Sequence, residues 1–522
     1  MKKMYTNVDV NTVTFPFLCK LNEQEHITPD MLYPFIDVYR HTQITDFVIN
    51  INAKWSCTPS DVFMDYADVY ESLTIGGERK DWTDKSVAFK GIYDIQQKHG
   101  IDIYAAWIDR CRQVGFTPWI SFRMNDCHPA SKNKSTSEKD FFVKASQNGW
   151  ILGDEYGYYG GCFDYSIKEI REYYLDYIKE QTERYDVYGI ELDFLREYHC
   201  FKYLTADMDE CREIMTQFMR EVRSITIAAE KIHGHEIKIM IRLPRDIEHC
   251  LYYGFDPAAM ANEKLMDIVV PAPRFAGSDT GIDVHAWQRA LPDVDIIPGI
   301  EAAIGVIDGK FVDTSKEIAL GIAANYLSYE PKGIYLFNHF ITPRFFTSFF
   351  SPLCELEERM VTANEPYEKS FAVLACAADY KTIYQSAVRF PIISEGFESC
   401  AGYPVMWRPL PAVVGVGGAA KTFEIRTGKI PSGKKCSVIL GFYGTADRFD
   451  VTLNGNPIEG FEETDIGFIE GIGYQPKNAV PNGTVCYRAK FDESLLTSPV
   501  QTLKVSSRIE GKVLSWLEIN VY

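Results

Sequence analysis

Two periodicities alternate along the first two-thirds of the chain. Short apolar runs with the spacing of buried strands recur near residues 4–10, 47–51, 116–120, 187–196, 237–243, 266–271, 295–300 and 333–337. Between several of them apolar residues return every three to four positions. That spacing predicts helices over about 28–42, 101–114, 166–185, 208–233 and 315–329. Thr28 before Pro29, and Thr314 or Ser315, read as helix N-caps. Ile170, Tyr174, Tyr177 and Ile178 fall on one helical face. Eight strands separated by helices predict an α/β fold, a (β/α)8 TIM barrel over residues 1–362. After about residue 365 the helical period disappears. Alternating segments such as Ser437 to Phe442 and Thr502 to Val505 take over, punctuated by Gly417-Gly418, Asn454-Gly455 and Asn482-Gly483. The run from Asp450 to Asn456 reads as a strand entering a hairpin. Residues 363–522 are therefore expected to form a C-terminal β-sandwich domain.

Composition narrows the partners. A hydrophobic content of 46% is ample for two cores, and a net charge of −18 argues against nucleic acid and anionic membrane surfaces. Local arginines still permit a small anionic substrate, because screening confines the global charge to roughly 10 Å. The 31 Tyr and 32 Phe suit stacking on sugars. Thirteen cysteines lack CxxC spacing, and no signal peptide or membrane-length apolar run is visible, so a reduced cytoplasmic location is the expectation.

In a barrel, chemistry collects at the C-terminal ends of the strands. The third strand runs into Arg123, Asn125, Asp126 and His128, with Asp126 and His128 on one side of an extended chain. The fourth carries Glu191 and Asp193 on one face and closes with Arg196. Other strand ends offer Asp9 and Asn11, Asn50 and Asn52, Arg242 and Arg245, Arg274, Glu301, and Asn338 with His339. So many ionisable groups at two neighbouring strand ends need a ligand or a mutual network to be buried. The long loop 129–164 adds a polar stretch from Lys132 to Lys139, then Trp150, Tyr156, Tyr158 and Tyr159 among glycines, which suits sugar stacking or a lid and equally suits packing over the rim. No P-loop, dinucleotide fingerprint or GxSxG is present. His233-Gly234-His235 falls in a turn at the opposite barrel end, and no HExxH exists, so neither metal nor cofactor is expected. Two acid/base arrangements stay open on residues alone. One pairs Glu191 or Asp193 with Glu301, which gives retention at a separation of about 5–5.5 Å. The other pairs Asp9 with His128.

The segments Arg123-Met124-Asn125-Asp126-Cys127-His128 and Glu191-Leu192-Asp193-Phe194-Leu195-Arg196, with an Asp on the first strand and Asn338 after the eighth, resemble glycoside hydrolase family 156, the inverting exo-sialidases, and related barrel hydrolases. The resemblance spans barrel and sandwich. It implies Asp9 as acid and His128 as base, with Asp126 orienting His128. It also implies Arg123 and Arg196 on the substrate carboxylate and Asn338 on the sugar. Asn125, Glu191 and Asp193 are expected to complete the substrate site. The chemistry agrees. Sialic acid bears a carboxylate on its anomeric carbon, so a neutral imidazole avoids the repulsion that a carboxylate base would meet. The expected substrate is a sialylated glycan or another glycoside, with no nucleic acid or membrane partner. Against this stand a retaining glycosidase acting on a neutral or uronic sugar and a non-catalytic carbohydrate-binding protein. The sandwich is left three roles: glycan binding, capping the barrel, or forming a homodimer.

Overall fold

The computed structural model describes residues 2–8, 21, 25–66, 68, 84–127, 140–274, 277–306, 310–339, 371–392, 409–415, 419–446, 449–465, 468–469, 473–474, 483–508 and 511–522. Its first part is a barrel of eight parallel strands: β1 (Lys3–Val8), β2 (Asp46–Asn50), β3 (Thr117–Arg123), β4 (Gly189–Asp193), β5 (Lys238–Pro244), β6 (Ile268–Ala272), β7 and β8 (Gly333–Phe337). Strand β7 comes in two pieces, Asp295–Ile296 and Gly299–Glu301, on either side of Pro298, which has no N–H for a ladder. The first piece pairs with β6 and the second with β8, and this split strand closes the ring. Six further parallel pairings run in sequence order from β1 to β6, by way of β2 to β5, and from β8 back to β1.

Helices cover the outside. Lys168–Arg184 and Met208–His233 follow the expected periods closely. Asp102 and Asp207 cap their helices by accepting main-chain N–H groups. Two expectations fail. The single helix over 28–42 is instead a 3-10 turn, Pro29–Leu32, followed by a four-residue helix, Pro34–Asp37, because Pro34 restarts the hydrogen-bond pattern. The connection after β2 contains an additional helix, Asp84–His99.

The barrel floor is filled by aromatic rings. Trp119 meets Tyr5 edge-on at 5.9 Å and donates its indole N–H to Asp46 Oδ1 at 3.0 Å. On β4 only a glycine fits beside it: a Cβ at Gly189 would run into the Trp119 ring and lie 2.7 Å from the Lys238 carbonyl.

Two antiparallel sheets form the C-terminal sandwich, one of six strands and one of four. Lys512–Val521 is central in the larger and pairs with Val388–Ile392, Ala412–Val414 and Lys435–Tyr443. The hairpin read from Asn454-Gly455 is present, joining Phe449–Leu453 to Asn456–Ile458, with both turn residues at positive φ. The boundary expected at 362 lies outside the described residues. The two parts share one apolar core. Val388–Ile392 lies along helix Lys316–Leu327, where Gly321 admits the Arg389 main chain. Arg389, fully buried, donates to Glu518 Oε2 at 2.7 and 3.1 Å and reaches Ser315 on the barrel side at 3.5 Å. No helix among the described residues is long and apolar enough to cross a membrane.

Candidate active site

Alternation along the strands sends Asn7, Ser121, Glu191 and Tyr335 into the barrel, where they meet. Glu191 accepts from Asn7 Nδ2 at 2.8 Å and from the Tyr335 hydroxyl at 2.5 Å, and Ser121 accepts from the same Asn7 amide at 3.3 Å. Both Glu191 oxygens are thus engaged below the mouth. Burial, with the charge of Asp193 behind it, pushes this carboxyl up to about 7, although Arg242 and the hydroxyls of Ser121 and Tyr335 pull the other way.

One layer higher, Asp193 ends β4 and binds three N–H groups. Arg242 of β5 donates from Nε at 3.0 Å and from Nη2 at 3.3 Å, and the Arg196 main chain donates at 2.9 Å. The Arg242 guanidinium also lies 3.7 Å from the centre of the Phe337 ring. At the end of β7, Glu301 Oε1 accepts from Asn338 Nδ2 at 2.8 Å. Burial pushes Glu301 up to about 7 as well, against the lowering influence of Arg242, Asn338, Arg196 and Arg274.

Strand β3 stops at Arg123, so Asp126 lies in the segment after it. Asp126 is buried between two guanidiniums: Arg123 Nη1 donates to it at 3.1 Å, and Arg196 Nε lies at 3.5 Å. Asn125 is fully buried. Its amide donates to the carbonyls of Phe163 and His199 at 3.0 and 2.9 Å and accepts the Phe163 N–H at 2.7 Å, which knits three loops together. Asp9 and His128 lie outside the described residues, as does the stretch from Lys132 to Lys139. The structure therefore gathers Arg123, Asp126, Arg196, Asp193, Glu191 and Asn338 at one barrel end, with Asn125 behind them.

The aromatic loop is built, not loose. Residues Asp154–Gly161 form 3-10 turns, and Tyr156 and Tyr159 are buried while Tyr158 is 43% exposed. Packing over the rim accounts for the first two.

Several groups here carry no sequence signature. Lys54, in the loop after β2, donates to the Gly161 carbonyl and sits 3.7 Å from the centre of the Phe163 ring. Burial draws its amine down to about 8, with Cys162 and Asp126 opposing. Glu197 is fully buried and takes both its Arg274 contacts at 2.8 Å, while the Cys127 thiol donates to it at 3.4 Å. His199 stacks on Tyr159 at 3.6 Å, its two ring nitrogens without hydrogen-bond partners among the described residues and its pKa driven well down by burial. Only the strand-end position of Arg274 marks it in the sequence; Glu197 and His199 follow β4 without a pattern. His233 and His235 occupy the turn at Gly234, bonded to the Thr182 carbonyl and to Asp186. Among the described residues no group of three or more His, Cys, Asp or Glu is arranged to hold a metal.

No family model and no curated protein matches the chain. Among solved structures it is similar to an endo-beta-1,4-mannanase from Thermotoga petrophila, at 10% identity over 99% of this chain and 97% of that one, with a TM-score of 0.41. It is similar also to alpha-L-fucosidase isoenzyme 2 from Paenibacillus thiaminolyticus, at 10% identity over 65% of this chain, with a TM-score of 0.39; the match spans 46% of that fucosidase. A third is the PgaB (BpsB) glycoside hydrolase domain from Bordetella bronchiseptica, at 10% identity over 69% of this chain and 98% of that one, with a TM-score of 0.38.

Proposed function

We propose that the chain is a glycoside hydrolase, and that it releases terminal sialic acid with inversion at the anomeric carbon. The observation that carries the proposal is the gathering of guanidiniums at one barrel end. Arg123, Arg196, Arg242 and Arg274 arrive from β3, from the loop after β4, from β5 and from the loop after β6, all interleaved with buried carboxylates. A sugar whose carboxylate sits on the reacting carbon needs directional cationic donors there. In this reading Asp126 aligns Arg123 and Arg196 for that carboxylate. His128 takes the proton of the attacking water as its oxygen bonds to the anomeric carbon. The glycosidic C–O bond breaks, and Asp9 protonates the departing oxygen. Asn125, with its amide engaged by main chain, holds the loops. Glu191, with both oxygens engaged, supports the mouth from below.

One observation favours a second reading. Glu191 on β4 and Glu301 on β7 are both buried carboxyls pushed up to about 7, and a retaining pair on a neutral or uronic sugar would use one of them neutral as the acid and the other ionised as the nucleophile. Proton NMR of an aryl α-sialoside with the enzyme separates the two. Early appearance of the β-anomer supports inversion, and the α-anomer sinks it. His128→Ala should then lower kcat by about a hundredfold or more. Turnover that survives this substitution would move the chemistry to the carboxyl pair, and a protein that only binds the sugar would change in affinity alone.

A further inference from the structure

Glu301 is a carboxyl at the barrel mouth with cations around it and, among the described residues, none bonded to it. Its side chain is 2% exposed, and among the described residues its one side-chain hydrogen bond is the Asn338 amide at 2.8 Å. Asn338 stands at φ 60, a left-handed conformation uncommon outside glycine, and this conformation carries its amide to Glu301. The Glu301 main chain is clamped too: its N–H donates to Ser278 Oγ at 2.6 Å, and its carbonyl accepts from that hydroxyl at 3.0 Å. The charged groups that face it come from three elements. Arg242 of β5 is committed to Asp193 of β4, Arg274 after β6 to Glu197, and Arg196 after β4 to Asp126. His339 follows Asn338 on the segment after β8.

We infer that Glu301 couples the binding of an acidic sugar to pH: it takes up a proton from solvent when an anionic ligand enters, and the neutral carboxyl then donates a hydrogen bond from Oε2. This rests on the reading of the mouth as a sugar-acid site. Two carboxylates in a buried space cannot both stay ionised, and one of them takes a proton. The ligand carboxylate is the more acidic and is held by arginines, so the proton goes to Glu301. Burial has already raised Glu301 to about 7, which leaves the proton within easy reach at neutral pH. Neutral sugars would bind without this proton.

The test is calorimetric titration of the full chain with N-acetylneuraminic acid, in buffers of different ionisation enthalpy, with N-acetylglucosamine as the neutral comparison. Uptake close to one proton is expected at pH 8, falling toward zero by about pH 5.5, with affinity about tenfold weaker at pH 8 than at pH 6. Glu301→Gln keeps an acceptor for Asn338 and a donor for the ligand. It should bind the acid without that uptake and with affinity nearly constant across the range. Binding by the wild type without proton uptake overturns the inference and leaves the sialidase reading standing, as does uptake that persists in Glu301→Gln. No binding of the acidic sugar at any pH overturns both.

Discussion

Glu191→Gln is a direct probe of how dry the barrel interior is. Glu191 has no solvent exposure and accepts from Asn7 and Tyr335. A glutamine reproduces the protonated acid: its oxygen accepts from Asn7, and its N–H donates to the tyrosine oxygen. Burial lifts the carboxyl from its ordinary 4.5 to about 7, with Asp193 adding to the lift. The folded state therefore prefers the neutral form. Its favourable contribution is complete below about pH 4.5 and is lost as the pH rises through about 7. A gap of about 2.5 pH units at 1.36 kcal/mol each amounts to roughly 3 kcal/mol. Urea unfolding of both proteins at pH 5, 6, 7 and 8 should show near-equal stability at pH 5. Glu191→Gln should pull ahead through pH 7, and its advantage should level off near 3 kcal/mol at pH 8. A difference that stays flat with pH would refute the desolvation argument. A wild type that gains on the variant as the pH rises would show that Arg242 outweighs burial. Asp193→Asn in the same background should shrink the gap, because it removes the like charge.

Two further substitutions test the packing that carries the site. Glu518→Ala strands the fully buried Arg389 charge between sandwich and barrel and should cost about 3–5 kcal/mol in thermal or urea unfolding, while Arg389→Met with Glu518→Leu recovers most of it; a loss under about 1 kcal/mol would mean that the pair is not sealed from water. Gly189→Ala drives a methyl into Trp119, which Asp46 and Tyr5 hold in place, and should lower stability by roughly 3 kcal/mol or abolish soluble expression; an unchanged melting temperature would show that the ring can move aside.

The strands were legible because their apolar runs are local, and β8 appears with the bounds its pattern predicts. The helix over 208–233 was legible for the same reason, with Asp207 and Gly234 marking its ends. Where proline intervenes, periodicity misleads: Pro34 divides one expected helix, and Pro298 divides β7 yet lets it serve both neighbours. The mouth of the barrel was legible as a list of strand-end residues, and Arg123, Asp126, Asp193, Arg196 and Asn338 do collect there, with Glu191 one layer below. Their pairings were not. Glu191 is set by residues 184 and 144 positions away, Asn7 and Tyr335, neither of which lies in a polar cluster. The same holds for Lys54, whose environment is made by Gly161 and Phe163 across the loop.

This difference bears on function. Residue type decides which groups are able to ionise, whereas long-range pairing decides which of them do. Asp193 and Asp126 meet guanidiniums at 3.0–3.5 Å. Glu191 and Glu301 meet neutral amides and a phenol, and burial then favours their protons. A mouth with both kinds of carboxyl side by side can hold arginines rigid for an anion and still offer a neutral acid to it. Exchanging the environments, by placing a cation on Glu301 through Asn338→Lys, should fix Glu301 as a carboxylate. Proton uptake on binding N-acetylneuraminic acid should then disappear while the Asp126 and Asp193 pairs stay intact. Uptake that persists in Asn338→Lys would locate the titrating group elsewhere in the barrel.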